Sequence, residues 1–308
     1  MTTSASPATA VVFAYHSVGV RCIKTLLARG VDIKLVVSHT DNPAETIWFE
    51  SVAELCREQG IPCITPDDPK SAELKEQVAT IAPDFIFSFY YRHMLPLDVL
   101  ALAKRGAYNL HGSLLPKYRG RVPVNWAVLH GETETGATLH EMALKPDAGD
   151  ILAQVSAPIL PDDTAYEVFG KLTVAAEQCL WNALPDLIAG IAKRLPNDLS
   201  AGSYYGGRKP EDGRINWQQT AQQVYNLHRA VAPPYPGAFT DQAGQRFVIG
   251  KARLFKADAA NLPTGLHVVD NIVLGVCGDG RALHIIELLM NDKIVGPQEL
   301  AAILKQAA

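Results

Sequence analysis

Residues 83–88 read PDFIFS and residues 106–111 read GAYNLH. Each stretch is a short, almost unbroken apolar run next to turn-forming residues. Runs without polar alternation are typical of strands that are covered on both faces. The two stretches therefore predict strands of a buried parallel sheet, and the second strand ends at two polar residues, Asn109 and His111.

Strand-like and helix-like segments alternate on both sides of these runs. The predicted strands are residues 11–15, 32–38, 62–65, 83–88, 106–110, 135–143 and 151–159, and the predicted helices are residues 18–29, 44–59, 71–81, 123–129 and 165–189. This alternation predicts an α/β fold with a mostly parallel, Rossmann-like sheet and helices on both faces. Ligands of such sheets bind beyond the carboxyl ends of the strands, so the segments that follow strands are expected at one edge.

The character of the sequence changes after residues 196–208, which are rich in Gly, Ser, Asn and Asp. Short strands with turns follow, predicted at residues 238–240, 246–254, 265–270, 272–277 and 282–289. This pattern is typical of a small β-barrel or sandwich. We therefore predict a first domain over residues 10–195, a linker over 196–208 and a second domain over 209–308.

Three side chains in two short motifs suit the transfer of an acyl group to an amine. Asn109 and His111 open the stretch NLHGSLLPKYRGR, and Asp147 lies in KPDAG, residues 145–149. An imidazole can carry the proton that the attacking amine loses. An amide N–H can stabilise the negative charge that develops on the carbonyl oxygen. A carboxylate beside the imidazole fixes its orientation and raises its basicity.

The two motifs together resemble those of the folate-dependent formyltransferases. The likeness extends to residues 85–95 (FIFSFYYRHML) and 11–16 (VVFAYH) and covers nearly the whole chain, more weakly in its last third. Within this family the chain most resembles the formyltransferase domain of the bifunctional polymyxin-resistance enzymes. The shared stretches are HTDNP (39–43), FSFYYRH (87–93), GETETG (131–136) and PGAF (236–239).

The resemblance implies roles for the three side chains: Asn109 stabilises the oxyanion, His111 handles the proton and Asp147 holds His111. It implies 10-formyltetrahydrofolate as co-substrate and an open, OB-like β-barrel as the second domain. The residues it implies for folate binding are His93, Met94, Leu95, Arg121, Ala143, Leu144, Lys145 and Pro146. We expect Ser113 to be a turn hydroxyl and His140 to be a structural histidine of its strand.

The acceptor that we favour is a nucleotide-linked amino sugar, with UDP-4-amino-4-deoxy-L-arabinose first, on the route of lipid A modification and polymyxin resistance. The bifunctional relatives carry a second, NAD-dependent decarboxylating half that these 308 residues do not include. Either a separate protein supplies the sugar-oxidising step, or the acceptor is another UDP- or dTDP-linked amino sugar. Lys117, Arg119 and Arg121 are candidates to meet the diphosphate.

Three other functions stay open. A methionyl-tRNA formyltransferase shares the motif, but a tRNA partner demands phosphate neutralisation. Residues 204–308 carry 11 Lys plus Arg against 9 Asp plus Glu, a net charge of only +2. A silent folate-binding module would not need all three reactive side chains. A hydrolase that releases formate differs only in that water replaces the amine.

The composition is that of an ordinary globular protein. Apolar residues make up 48% of the chain and the formal net charge is −4, which gives no overall attraction for nucleic acid. The five cysteines have no metal-ligand spacing, and their odd number argues against a complete disulfide framework. Neither a signal-peptide pattern nor an apolar run of membrane-spanning length is visible. We expect a cytoplasmic enzyme without metal, nucleic-acid partner or membrane insertion, and leave the choice between monomer and homodimer open.

Overall fold

The computed structural model describes residues 6–43 and 45–306, which form two compact units. The first unit contains the described residues up to Pro123, Thr135–Ala157 and Gly170–Tyr205. The second contains Val124–Glu134, Pro158–Phe169 and the described residues from Gly206 onward. The predicted linker, residues 196–208, is thus divided after Tyr205. The domain boundaries themselves stay a prediction.

Helices and strands alternate through the first unit and strands dominate the second. In chain order they are β1 (Thr9–Ala14), α1 (His16–Ala28), β2 (Asp32–Val37), α2 (Val52–Gln59), β3 (Cys63–Ile64), α3 (Ala72–Ile81), β4 (Phe85–Phe89), α4 (Leu97–Leu100), β5 (Ala107–His111), β6 (Arg119–Gly120), α5 (Pro123–Leu129), β7 (Glu134–Glu141), β8 (Ile151–Pro158), α6 (Ala165–Ala189), β9 (Tyr204–Tyr205), α7 (Ala221–Val231), β10 (Ala238–Gln242), β11 (Gln245–Leu254), β12 (Gly265–Val269), β13 (Ile272–Val276), β14 (Ala282–Met290), β15 (Lys293–Ile294) and α8 (Pro297–Gln306). In the described part of the chain, none of these helices has both the length and the apolar character needed to cross a bilayer.

The first unit is built on a sheet with the strand order β3-β2-β1-β4-β5-β7-β8. The pairs β2–β3, β1–β2, β1–β4 and β4–β5 are parallel, and β5–β7 is antiparallel. This is the predicted Rossmann-like arrangement of a mostly parallel sheet with helices, and the fold class is confirmed. Its parallel strands bring the carboxyl ends of β1, β4 and β5 to one edge.

The apolar runs that predict the strands are buried at the centre of this sheet. All five residues of β4 are buried. Phe13 of β1 and Ile86 of β4 share one apolar cluster with Tyr91 and Leu95, which follow β4. Burial of each large apolar side chain contributes about 1.5–3 kcal/mol. The cluster therefore fixes the segment after β4 as well as the strands.

The second predicted helix begins later than expected. Apolar spacing predicts a helix over residues 44–59, whereas α2 begins at Val52. Residue 44 lies outside the described residues, and residues 45–51 are not helical. The side chain of Ser51 accepts a hydrogen bond from the N–H of Glu54 at 3.2 Å and caps the helix there. The rings of Trp48 and Phe49 instead pack on His16.

The second unit contains the antiparallel strands β10-β11-β14-β13-β12, with β15 paired to β14. They form a half-barrel, as the short strands and turns predict. The capping box of Thr220 and Gln223 starts α7, because the Thr220 side chain accepts from the Gln223 N–H and the Gln223 side chain accepts from the Thr220 N–H. Helix α8 was not predicted.

His228 in α7 should give the second unit a pH-dependent stability. Its side chain is 2% exposed, and burial, with Arg253 and Arg229 nearby, lowers its pKa from 6.5 to about 4. In the unfolded chain His228 binds a proton below about pH 6.5, whereas in the folded chain it stays neutral until about pH 4. The free energy of unfolding therefore decreases as the pH falls through this window. We expect His228 to contribute a slope of about 1.4 kcal/mol per pH unit there. Urea titrations of His228→Phe should lose this component, and an unchanged pH dependence would contradict it.

Candidate active site

Asn109 and His111 project from the same face of β5, because alternate residues of a strand share a face. In the sheet register Asn109 lies opposite Ser88 of β4 and His140 of β7. His111 is the last residue of β5, and its side chain is 8% exposed. The strand thus presents both side chains at its carboxyl end, where the predicted site should lie.

Asp147 reaches this edge from the connection between β7 and β8. Its φ of +51° is in the left-handed region, which Asp tolerates better than most residues. Gly149 lets the connection pass close to β7, because a Cβ at this position would clash with the carbonyl oxygen of Glu141. The N–H of Gly120 donates to Oδ2 of Asp147 at 2.8 Å. The position of the carboxylate is therefore set both by the connection between β7 and β8 and by the N–H of Gly120.

The three predicted side chains and His140 form one connected cluster. Oδ1 of Asp147 lies 3.4 Å from Nδ1 of His111 and 3.6 Å from Nε2 of His140. Nδ2 of Asn109 lies 3.0 Å from the same Nε2 of His140. The structure thus brings Asn109, His111 and Asp147 together, with His140 between Asn109 and Asp147.

The partners of His140 decide which of its nitrogens carries the proton. Nδ1 lies 2.8 Å from the carbonyl oxygen of Glu141, which can only accept, so Nδ1 carries the proton. In the neutral ring Nε2 then presents a lone pair to Asn109. Nδ2 of Asn109 is therefore the donor, and this contact uses one of its two N–H groups.

The same argument applies to His111. Its Nε2 lies 2.8 Å from the carbonyl oxygen of Tyr118 and donates to it. Nδ1, which faces Asp147, therefore has the lone pair in the neutral ring. A proton taken up at Nδ1 stands beside a carboxylate, which stabilises the imidazolium. The pair can accept a proton and hold it.

Asp147 is a strong acid in this environment. Burial alone would raise its pKa, but the protonated rings of His111 and His140 and the N–H of Gly120 lower it more. The pKa falls from its ordinary 3.8 to about 2. The carboxylate is therefore ionised throughout the neutral range.

The sequence matches the formyl transferase family over residues 10–184 and the formyl transferase C-terminal domain over residues 208–304. The chain belongs to the formyltransferase family. The cluster of Asn109, His140, Asp147 and His111 lies within the first of the two matched ranges.

Several solved structures resemble this formyltransferase. WlaRD, a sugar 3N-formyl transferase crystallised with dTDP and 5-N-formyl-THF, matches with a TM-score of 0.71 and 19% identity over 94% of this chain and 100% of that chain. The N-formyltransferase from Helicobacter canadensis, in complex with folinic acid and dTDP-3-aminofucose, matches with a TM-score of 0.69 and 18% identity. The match covers 91% of this chain and 98% of that chain. A 4-N formyltransferase from Francisella tularensis matches with a TM-score of 0.65 and 18% identity over 79% of this chain and 96% of that chain. At these identities the likeness establishes the fold.

The residues predicted to bind folate lie in two adjoining segments of this formyltransferase and at Arg121. Met94 and Leu144 are 49% and 74% exposed, whereas Leu95 is 8% exposed and belongs to the apolar cluster. Met142 packs against that cluster and so joins the segment before Asp147 to the one after β4. The remaining predicted residues are exposed (His93, Arg121 and Lys145) or half-buried (Ala143 and Pro146).

The loop between β5 and β6 is held by polar contacts within the first unit. Ser113 is fully buried, and its Oγ donates to the carbonyl oxygen of Lys117 at 2.6 Å, so it is a turn hydroxyl as predicted. The Lys117 side chain is exposed, and Arg119 and Arg121 flank Gly120.

Across residues 6–43 and 45–306, no group of three or more His, Cys, Asp or Glu is placed to hold a metal ion.

The sequence predicts His140 to be a structural histidine of its strand, and it is buried and hydrogen-bonded as that prediction requires. The structure also places its Nε2 between Asn109 and Asp147, a position that the sequence does not indicate. The pairing of β5 with β7 creates this position. The sequence could indicate this position only if the pairing of β5 with β7 were already known.

Replacing Asp147 with Asn should lower the kcat of this formyltransferase and move the acidic limb of its pH–rate profile to lower pH. Asn keeps the shape of the side chain but removes the charge that stabilises the imidazolium of His111. Because the pKa of Asp147 is about 2, the acidic limb of the wild-type profile should not report this carboxylate. Asp150→Asn, in the same connection, is the matched control. Identical profiles for Asp147→Asn and the wild type would mean that Asp147 does not tune His111.

Proposed function

We propose that this formyltransferase moves a formyl group from 10-formyltetrahydrofolate to the amine of a nucleotide-linked amino sugar. The observation that carries the proposal is the connected cluster of Asn109, His140, Asp147 and His111 at the carboxyl end of β5. It joins an amide donor, a proton acceptor and a carboxylate, which are the groups that acyl transfer to an amine requires. The folate and nucleotide ligands of WlaRD and of the Helicobacter enzyme support both substrates.

In the proposed reaction the amine of the sugar attacks the formyl carbon directly. His111 takes the proton that the amine loses, and Asp147 stabilises the resulting imidazolium across 3.4 Å. Asn109 donates its second N–H to the oxygen of the tetrahedral intermediate. The hydroxyl of Ser113 is buried and engaged with Lys117, which fits a reaction without a covalent acyl-enzyme.

The proposed folate site is the surface formed by the segment after β4 and the segment before Asp147. A pterin is flat and needs apolar walls with polar groups at its edge. Met94 and Leu144 offer apolar side chains that are accessible. Leu95 packs in the core and so offers its backbone rather than its side chain.

For the acceptor we propose UDP-4-amino-4-deoxy-L-arabinose, which would place the protein in lipid A modification and polymyxin resistance. The support is the resemblance of HTDNP (39–43), FSFYYRH (87–93) and PGAF (236–239) to the polymyxin-resistance branch of the family. A dTDP-linked amino sugar is the second candidate, since the structures of WlaRD and the Helicobacter enzyme contain dTDP or dTDP-3-aminofucose.

The test offers a panel of UDP- and dTDP-linked amino sugars together with 10-formyltetrahydrofolate, and reads the formamide product by mass. Tetrahydrofolate without the formyl group is the control donor, and methionyl-tRNA is the control acceptor. We expect formylation of the UDP-aminoarabinose with the highest kcat/KM. A higher kcat/KM with a dTDP-linked amino sugar would make that sugar the acceptor in place of UDP-4-amino-4-deoxy-L-arabinose. Formate release without formamide would indicate a hydrolase, and formylation of methionyl-tRNA alone would contradict the sugar assignment.

The remaining parts of the proposal concern the whole protein. We propose a catalytic domain over residues 10–195 and a C-terminal domain over residues 209–308, close to the two family matches. A reducing, cytoplasmic location is supported by the cysteines, all five of which are free thiols.

A further inference from the structure

Residues 197–205, which we call the anchoring segment, contact both motifs that contain the proposed reactive side chains. At its start, Nδ2 of Asn197 donates to the carbonyl oxygens of Asp147 at 3.0 Å and Gly149 at 3.2 Å. Near its end, Oγ of Ser203 accepts from the N–H of Tyr118 at 2.9 Å. A segment that is remote in sequence from both motifs therefore holds the two of them.

The end of the anchoring segment fixes the loop around Tyr118 by strand pairing. β9 pairs with β6, and the N–H groups of Arg119 and Arg121 donate to the carbonyl oxygens of Ser203 and Tyr205, both at 3.0 Å. Gly120 is needed at this crossing, since its φ is +98° and a Cβ would clash with the oxygen of Tyr205. The fixed loop supplies the carbonyl oxygen that accepts from His111 and the N–H that donates to Asp147.

Asn197 acts on a residue of the site whose backbone is in the left-handed region. A left-handed residue other than glycine persists only where its surroundings hold it, and Asp147 has a φ of +51°. Asn197 is 9% exposed and uses both hydrogens of its amide nitrogen on the turn that contains Asp147. This turn decides whether the carboxylate stands against His111 and His140.

We propose that Asn197 is a positioning residue of the formyl-transfer site, which keeps Asp147 in register with His111. The proposal rests on the proposed function for its effect on turnover. Its structural content is independent of the acceptor: without the two donated hydrogen bonds, the Asp147 turn relaxes and the carboxylate moves away from the imidazoles. The hydrogen bonds of Asn197 go to the backbone of Asp147 and Gly149, so it acts through the Asp147 turn.

The decisive variant is Asn197→Leu, which keeps the approximate shape of the side chain and removes both donors. We expect kcat to fall about 100-fold, the effect of a displacement of about 1 Å at a catalytic group, with the KM for the folate donor little changed. Asn197→Gln retains an amide donor and should recover part of the rate. Ser200→Ala, an exposed change in the same segment, should behave as the wild type.

A second measurement separates this proposal from the proposed function. The imidazole NMR signals of His111 and His140, recorded at one pH without any substrate, should move from their wild-type positions in Asn197→Leu and stay at them in Ser200→Ala. Moved signals combined with no formamide from any protein, wild type included, would sustain the positioning role and refute the proposed reaction. Wild-type signals and wild-type kcat in Asn197→Leu would overturn the positioning role. If Asn197→Leu does not fold, the Gln variant decides by the same two readouts.

Discussion

The His111→Ala variant is expected to form formamide about 100- to 10,000-fold more slowly than the wild type, the range typical for loss of a positioned general base. Nε2 of His111 donates to the carbonyl oxygen of Tyr118, and Nδ1 faces Asp147. Nδ1 is therefore the ring nitrogen that can take up a proton. The loss should appear in kcat, measured by single-turnover formation of formamide. Binding of the folate donor should survive, because His111 is not among the residues proposed to bind folate.

A matched control for this variant is His267→Ala in β12 of the second unit. Nε2 of His267 also donates to a backbone carbonyl oxygen, that of Pro263 at 2.7 Å, so the exchange removes the same kind of contact. We expect its turnover to equal that of the wild type. If His111→Ala transferred formyl groups at the rate of His267→Ala while remaining folded, the proton-transfer role would be wrong.

The sheet was predictable from local patterns in the sequence, and so was the selection of the three side chains that the structure brings together. The apolar run at residues 83–88 has no polar alternation, and it corresponds to β4, which is buried on every residue. The predicted helices at residues 123–129 and 165–189 coincide with α5 and α6. Asn109 and His111 stand in one motif and Asp147 in another, and each motif contains Gly and Pro beside the polar side chains, so each indicates a turn together with the chemistry.

The parts that were missed depend on contacts between remote segments. Asn109 meets His140 because β5 and β7 pair in one register, and no local pattern records that register. Asn197 lies in a stretch whose Gly, Ser, Asn and Asp content predicts a linker, yet its amide is buried against the Asp147 turn. The late start of α2 has a local cause, the Ser51 cap, which outweighs apolar spacing.

The order of these contacts explains how a site can be assembled around a strained residue. The buried sheet fixes β5, and therefore Asn109 and His111. Asp147 has to be brought to them by a connection in an unfavourable conformation, held by Gly120 on one side and Asn197 on the other. Strain of this kind costs of order 1–3 kcal/mol and is stable only when the surrounding contacts determine it.

Asn109→Ala is expected to lower kcat by about 100- to 1,000-fold, or about 2.7–4 kcal/mol of transition-state stabilisation, as for loss of one oxyanion donor. The amide is already oriented by its contact with His140 at 3.0 Å, so its second N–H needs no reorganisation when the charge develops. Because that charge exists only in the transition state, kcat and kcat/KM should fall together while the KM for either substrate stays near its wild-type value.

Two further variants make this expectation sharp. Asn109→Asp keeps the shape of the side chain but replaces the donor with a negative charge, so it should be at least as slow as Asn109→Ala. Asn182→Ala, the same exchange at an exposed position of α6, should leave turnover unchanged. If the developing charge were met elsewhere, Asn109→Ala would turn over as fast as Asn182→Ala. The amide would then serve only to orient His140, and Asn109→Ala would change the pH–rate profile without lowering its maximum.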